Sequence, residues 1–380
     1  MRLANETPFS AEIYRSQLHY RDLLLATVVA KGSYHVEDDG SVVPVSDPLP
    51  VYEGDVETPL GVLEGDVVLT KEGCDLAVYG QALSPALPVA QMDVEVRVGE
   101  FARTMRVTGD RVWLPTPNGP RMSDPVPFTA MPLDYTRAFG GVALQAEVDI
   151  SMPEPQNPLG CGWVVRPEDV AGTHLPNVEE TDQLITSWRQ RPLPAGLLPL
   201  PRASSLRGLR GVSVDEERQR TTLGPLAFVW SHPRMHLPLY PAGERVEIRG
   251  MTREPMLRFQ LPDLRVLVEV TLGSATHRLR LCPDAIGIVP GHRRLWVVAR
   301  RAFVYQYLPE RTRGVRLRND PGDAPESATT TIAAELAAAA PRIPIAAPDA
   351  PERMPIPWQM LRELHPIAEI LEALPLCASG

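Results

Sequence analysis

The chain has 380 residues, with 38 basic and 47 acidic side chains and a net charge of −9. Apolar residues make up 44% and charged residues 22%, enough to bury a sizeable core, which excludes wholesale disorder. The negative balance excludes bulk attraction to nucleic acid or an anionic membrane. The 41 prolines exclude a helical bundle or solenoid, because proline lacks a backbone donor and disfavours helix at the residue before it.

Only Lys31 and Lys71 among the basic residues are lysines. Cys74, Cys161, Cys282 and Cys377 stand far apart without a CxxC spacing, and read as free thiols in a reducing compartment. The start, MRLANETPFS, lacks a charged region followed by an apolar one, and no stretch reaches 18 apolar residues. The expected location is the cytoplasm.

In chain order, LLLATVVAKGSYHV (residues 23–36) reads as a strand closing at Asp38-Asp39-Gly40, a hairpin signal because the turn needs positive φ. SVVPVSD is its return strand, with Pro44 marking an edge. GVLEGDVVLT and CDLAVYGQAL follow as strands. In MDVEVRVGEFARTMRV, Val94, Val96 and Val98 alternate with Asp93, Glu95 and Arg97, the period of a sheet buried on one face, and Gly99-Glu100 turns the chain. Residues 115–225 hold PTPNGPRMSDPVPF, MPEPQNPLGCGW and RPLPAGLLPLP, which read as ordered, irregular loops, with helical potential from Val214 to Arg220. Strands return at RVEIRGM, MLRFQL, RVLVEVTL, HRLRL and RLWVVARRAFVYQYL.

The pattern predicts a mainly β fold: antiparallel sheets, sandwich-like or two packed β units, with long Pro-rich loops. Residues 1–310 form the expected main unit, divisible into β subdomains at about 1–145 and 225–310 around an irregular insert. Residues 319–356 read as a flexible Ala/Pro-rich linker. Residues 357–375 read as a short C-terminal amphipathic helix, where Trp358, Leu361, Leu364, Ile367 and Leu371 recur at helical spacing around Pro366.

Chemistry-bearing patterns are sparse. His232 and His236 have an i, i+4 spacing, but Pro233 and Pro238 argue against the helix a metal site would need. His292, in Pro290-Gly291-His292, reads as decoration of a hairpin turn. No GxSxG elbow, P-loop or dinucleotide fingerprint occurs, and no cysteine has a context that lowers its pKa. The expectation is a non-enzyme without metal or cofactor.

One block is too idiosyncratic for generic β text: Pro127-Phe128-Thr129-Ala130-Met131-Pro132-Leu133-Asp134-Tyr135-Thr136-Arg137-Ala138-Phe139-Gly140-Gly141. Asn157-Pro158-Leu159-Gly160 with Gly162, then Leu175-Pro176-Asn177-Val178-Glu179, follow it. The series resembles the bacterial domain-of-unknown-function family 2169, whose phrases have the form PFxxMPLxYxRAFGG, NPxGxG and LPNxE. The resemblance spans about residues 3–305; residues 189–240 depart from the family's tryptophan-rich stretch, which implies a cargo unlike the common one, or a drifted function.

The resemblance implies a non-enzymatic adaptor or chaperone that binds a type VI secretion effector, often one with a PAAR-type tip domain, and helps load it onto the spike protein. The alternative is a structural component of a contractile or other multiprotein assembly. Phe128, Met131, Pro132, Tyr135, Arg137, Phe139, Gly140 and Gly141, with Trp358, Leu361, Leu364 and Ile367, are the candidate partner-binding or structural residues. Read as structure, Arg137 pairs with a carboxylate such as Asp134 or caps carbonyls, and Phe139 plugs the core.

Overall fold

The computed structural model of the chain describes residues 3–17, 23–68, 71–145, 150–208, 212–215, 220–223, 225–273, 275–306 and 313–322. The linker beyond residue 322 and the segment 357–375 lie outside the described residues.

Fifteen strands carry the architecture. In chain order the first seven are β1 (Leu3–Asn5), β2 (Ser10–Gln17), β3 (Leu23–Val36), β4 (Cys74–Val78), β5 (Gln91–Val98), β6 (Phe101–Thr108) and β7 (Val178–Glu180). Then come β8 (His236–Leu237), β9 (Arg245–Arg249), β10 (Leu257–Gln260), β11 (Val266–Leu272) and β12 (Ala275–Arg280). β13 (Cys282–Val289), β14 (Arg294–Gln306) and β15 (Arg313–Asn319) complete the set.

They form three sheets. A seven-stranded sheet runs β2-β3-β14-β13-β4-β8, with Val42–Pro44 paired to β3 off that path; β13 and β4 are parallel and its other pairs antiparallel. A five-stranded antiparallel sheet runs β7-β6-β5-β9-β10. A four-stranded sheet runs β1-β15-β11-β12, in which only β1 and β15 are parallel. The mainly β, largely antiparallel expectation holds.

The predicted hairpins form where their turn residues place them. Tyr34 pairs with Pro44 around the Asp38–Gly40 turn, and Val98 pairs with Phe101 around Gly99, whose φ of 56° explains the glycine. Val94, Val96 and Val98 are buried, while Arg97 between them is exposed. Their face joins one large core shared by all three sheets, with Val28, Ile286 and Val297 from the first, Ile248 from the second and Val268 and Leu317 from the third.

β14 is buried on both faces. Val297 and Ala299 point into that core, whereas Trp296 and Val298 join a second cluster with Val29, Tyr79, Tyr135, Leu198, Leu200 and Trp230. The lid of this second cluster is the proline-rich stretch read as irregular loop. Residues 195–200 are buried throughout and dock through Val78 N to Leu197 O (2.9 Å) and Leu200 N to Trp230 O (2.9 Å). Proline suits such a stretch because it lies extended without needing every ladder donor.

Three expectations change. Residues 1–145 and 225–310 do not form separate subdomains: β5 pairs with β9, and β3 pairs with β14 from Leu23 to His35. Sheet pairing runs on to Asn319 in β15, past the boundary at 310. In place of a helix from Val214 to Arg220, Val212–Asp215 pairs antiparallel with Arg220–Leu223. Val212, Val214, Thr221 and Thr222 are β-branched, and that stiffness favours the extended form.

Candidate functional site

The three phrases singled out in the sequence, well separated along the chain, meet in one place. Asp134 starts the assembly by accepting a hydrogen bond from Thr136 N (2.9 Å), capping the short 3-10 turn Tyr135–Arg137. Tyr135 is buried and its hydroxyl donates to Leu198 O at 3.3 Å, tying the turn to the lid of the second cluster. Phe139–Gly140 then pairs, parallel, with Cys161–Gly162.

Asn157 locks this crossing. It is fully buried, and its side-chain amide donates to Tyr135 O (2.8 Å) and Phe139 O (3.0 Å). Gly141 N donates to Asn157 O at 2.8 Å, and the carboxylate of buried Glu154 accepts from Asn157 N (2.7 Å) and Gln156 N (2.8 Å). The backbones approach so closely that a Cβ on Gly140 would lie 2.0 Å from Asn157 O, and the φ of 144° there disfavours any other residue. The FGG and NPxG phrases are therefore two halves of one contact.

The third phrase closes the knot. Asn177 N donates to Arg137 O (2.8 Å), and its side-chain amide donates to Thr108 O and Asp110 Oδ1, both at 3.0 Å. Arg137 does not pair with Asp134, which is occupied by its capping role. Its guanidinium bonds instead to Asp110 Oδ1 and Asn177 Oδ1, each at 3.1 Å. Glu179 accepts from Arg111 (2.6 Å) and from Ile185 N (2.8 Å), and Glu180 is held by Arg103 and by Arg234 (3.0 Å).

The other singled-out residues divide by burial. Phe128 and Met131 sit in the large core, and Phe139 plugs a small cluster with Trp113, Leu175 and Ile185. Gly140 and Gly141 are buried, Pro132 is exposed, and Arg137 is half-exposed. Around them the surface carries exposed apolar side chains: Leu87 (75%), Val126 (60%) and Leu159 (56%). Val126 N bonds to Asp110 O at 3.0 Å, beside the Arg137 contact, and Leu159 lies within the second phrase. Trp358, Leu361, Leu364 and Ile367 lie outside the described residues.

Sequence reasoning missed what the two lysines do. Both are buried and paired: Lys31 Nζ lies 2.8 Å from Asp66 Oδ2, and Lys71 Nζ 2.7 Å from Asp75 Oδ2. Each also lies against aromatic rings, Lys31 over Tyr52 (4.2 Å) and Lys71 over Trp230 (4.7 Å). Burial pulls the Lys31 ammonium down from its usual range, and Asp66 opposes that pull. Burial pushes Asp75 up, but the Lys71 charge and hydrogen bonds to its carboxylate outweigh it and hold Asp75 well below the usual carboxylate range. Ser231 contributes two of those bonds, from N (3.2 Å) and Oγ (2.6 Å). The scarcity of lysine in the sequence was the available signal. Nearby, Asp284 faces Arg300 Nε at 2.8 Å, yet complete burial pushes its carboxyl up to about 6.

A cleft of about 860 Å³ opens over Lys71, Asp284 and Arg300, between the β5–β6 turn, the segment after β8, and β12 to β14. His232 and His236 flank the 3-10 turn Pro233–Met235 rather than a helical face; His232 Nδ1 accepts from Arg234 N (3.0 Å), and His236 Nδ1 stands 3.5 Å from Asp75 Oδ1. Among the described residues no group of three or more His, Cys, Asp or Glu is placed to hold a metal ion, and no helix is long and apolar enough to cross a membrane.

The chain is mainly β, and its three phrases interlock inside the fold. Comparison with protein families places it further: residues 21–300 match the family described as "Uncharacterized protein conserved in bacteria (DUF2169)". The chain belongs to that family. No curated protein and no solved structure matches it.

Proposed function

We propose that this chain is a non-enzymatic adaptor or chaperone of the bacterial cytoplasm that holds a type VI secretion effector, with its PAAR-type tip domain, for delivery to the spike protein. The observation that carries this reading is the use to which the signature phrases are put. The polar side chains of Asn157 and Glu154 are spent on main-chain partners inside the fold, and those of Asn177 and Glu179 on main-chain and side-chain partners, where together they stiffen a surface. A carrier needs such a surface more than it needs reacting groups. Exposed Val126 and Leu159 beside the knot, and exposed Leu87 two residues from the Val89–Phe128 bridge, supply apolar anchors of the kind a protein partner covers.

Co-expression of the full chain with an effector bearing a PAAR-type domain, encoded beside it, tests the reading. The expected result is co-elution of the two proteins. Leu87→Asp combined with Val126→Asp should abolish co-elution and leave the melting temperature unchanged. Absence of co-elution, with normal effector secretion from cells lacking this chain, would overturn it.

A further inference from the structure

The cleft has an apolar wall and a fixed relation to the end of the sheet structure. Phe101 and Tyr240 line it half-buried, Leu264 and Leu281 lie beneath, Ala242 is exposed, and Leu239 is 55% exposed. An exposed leucine beside concave apolar surface is the pattern of a docking site.

The chain itself leads there. After β15, Asp320 N donates to Arg265 O (3.1 Å), and the Asp320 carboxylate accepts from Arg280 Nε (2.6 Å). This pins the exit of the sheet, so that Asp320 and Gly322 are part of the cleft lining. Everything from residue 323 onward therefore starts at the cleft's edge.

We propose that the cleft receives, in cis, the apolar stripe of residues 357–375: Trp358, Leu361, Leu364, Ile367 and Leu371. Residues 323–357 separate that stripe from the rim, and a chain of that length reaches roughly 30 Å root-mean-square if flexible and farther where its prolines extend it. That reach covers the cleft and sets an effective concentration on the order of millimolar, so even a weak contact is populated. The stripe also needs a surface. A helical segment broken by Pro366 leaves two short halves, each below the roughly 12–15 residues at which isolated helices become marginally stable. The two requirements, an open apolar wall and an unsupported apolar stripe, are met by one contact within one chain. The proposal is independent of the adaptor reading, since it names no cargo.

The test uses the full chain with a benzophenone side chain at Ala242, and separately at Glu244, also exposed on the cleft lining. Irradiation should cross-link either position to a peptide within 357–375 of the same chain, migrating as a monomer. Leu239→Asp, on the exposed wall, should cut that yield roughly tenfold, the factor expected when about 1.4 kcal/mol of apolar contact is lost. Cross-links joining two copies would show that a second molecule fills the cleft and would overturn the proposal. So would cross-links to any other segment, or none at both positions in protein with native circular dichroism.

Discussion

The signature knot and the cleft differ in what their buried polar atoms hold together. In the knot, Asn157 and Asn177 give their amide hydrogens to Tyr135 O, Phe139 O, Thr108 O and Asp110 across segments distant in sequence. At and beneath the cleft floor, buried charges are paired: Asp75 faces Lys71 while also accepting from Ser231 and Trp230, and Asp284 faces Arg300. Main-chain locking fixes one backbone path, because each carbonyl has one position and the approach is too close for any Cβ. Buried ion pairs tolerate less, since removing one partner strands the other in a medium that disfavours charge. The three phrases singled out in the sequence thus sit where the backbones cross closely, while the cleft keeps an apolar wall.

This contrast breaks hardest at Gly140. A methyl group there meets Asn157 O at 2.0 Å in a backbone conformation alanine disfavours, so Gly140→Ala should cost about 4 kcal/mol or more. Soluble yield and the urea midpoint measure it, and a near-native midpoint would mean the crossing is looser than described.

Lys71→Ala comes next. It leaves the Asp75 carboxylate buried against the Ser231 hydroxyl, the Trp230 and Ser231 amides and His236, with no lysine charge beside it. The expected loss is about 3–5 kcal/mol in denaturant unfolding.

The cleft floor gives a pH signature of similar or smaller size. The Asp284 carboxyl ionises near 3.8 when unfolded and near 6 when folded, because burial outweighs the attraction of Arg300. The folded state therefore holds this proton more tightly, and the group's contribution to stability falls as pH rises from about 4 to about 6, then levels. Relative to wild type, Asp284→Asn should gain up to about 3 kcal/mol between pH 4 and pH 7. Asp75 acts in the opposite sense: its depressed value contributes stability above about pH 4 that is lost as acid protonates it. Unfolding free energies of wild type and Asp284→Asn at the two pH values check the first claim, and parallel curves would refute it.

Arg137→Ala should have the smallest effect. Its guanidinium is half-exposed against Asp110 and Asn177, and such pairs contribute up to about 1 kcal/mol. A melting shift of a few degrees is the expected reading; complete unfolding would make Arg137 a keystone instead of a brace.

Local signals were legible in the sequence. The turns at Gly40 and Gly99 were readable because positive φ selects glycine, and the Val94, Val96, Val98 alternation marked the buried face of β5 directly. Long-range pairing was not. Nothing near Cys74–Val78 announces that it lies parallel to Ala285–Ile288, far along the chain, or that β5 joins β9. The meeting of FGG with NPxG and LPNxE was visible only as three phrases. Their mutual hydrogen bonds depend on the fold, and the sequence pointed Arg137 to its neighbour Asp134 because spacing along the chain was the only distance available. The buried stretch Ala195–Leu200 shows no strand pattern for a related reason: it is covered by tertiary contacts, not by a ladder of its own.

On the proposed reading, the buried side chains of the signature phrases build the platform, and only exposed side chains such as Leu159 touch the partner. Asn157→Ala tests it most directly, because that side chain is fully buried and its amide serves two carbonyls at once. Unfolding in urea and effector co-elution, measured on the same preparation, should show a loss of about 2–4 kcal/mol together with normal capture by whatever fraction remains folded. Unchanged stability with capture abolished would contradict the account and make Asn157 part of the contact surface.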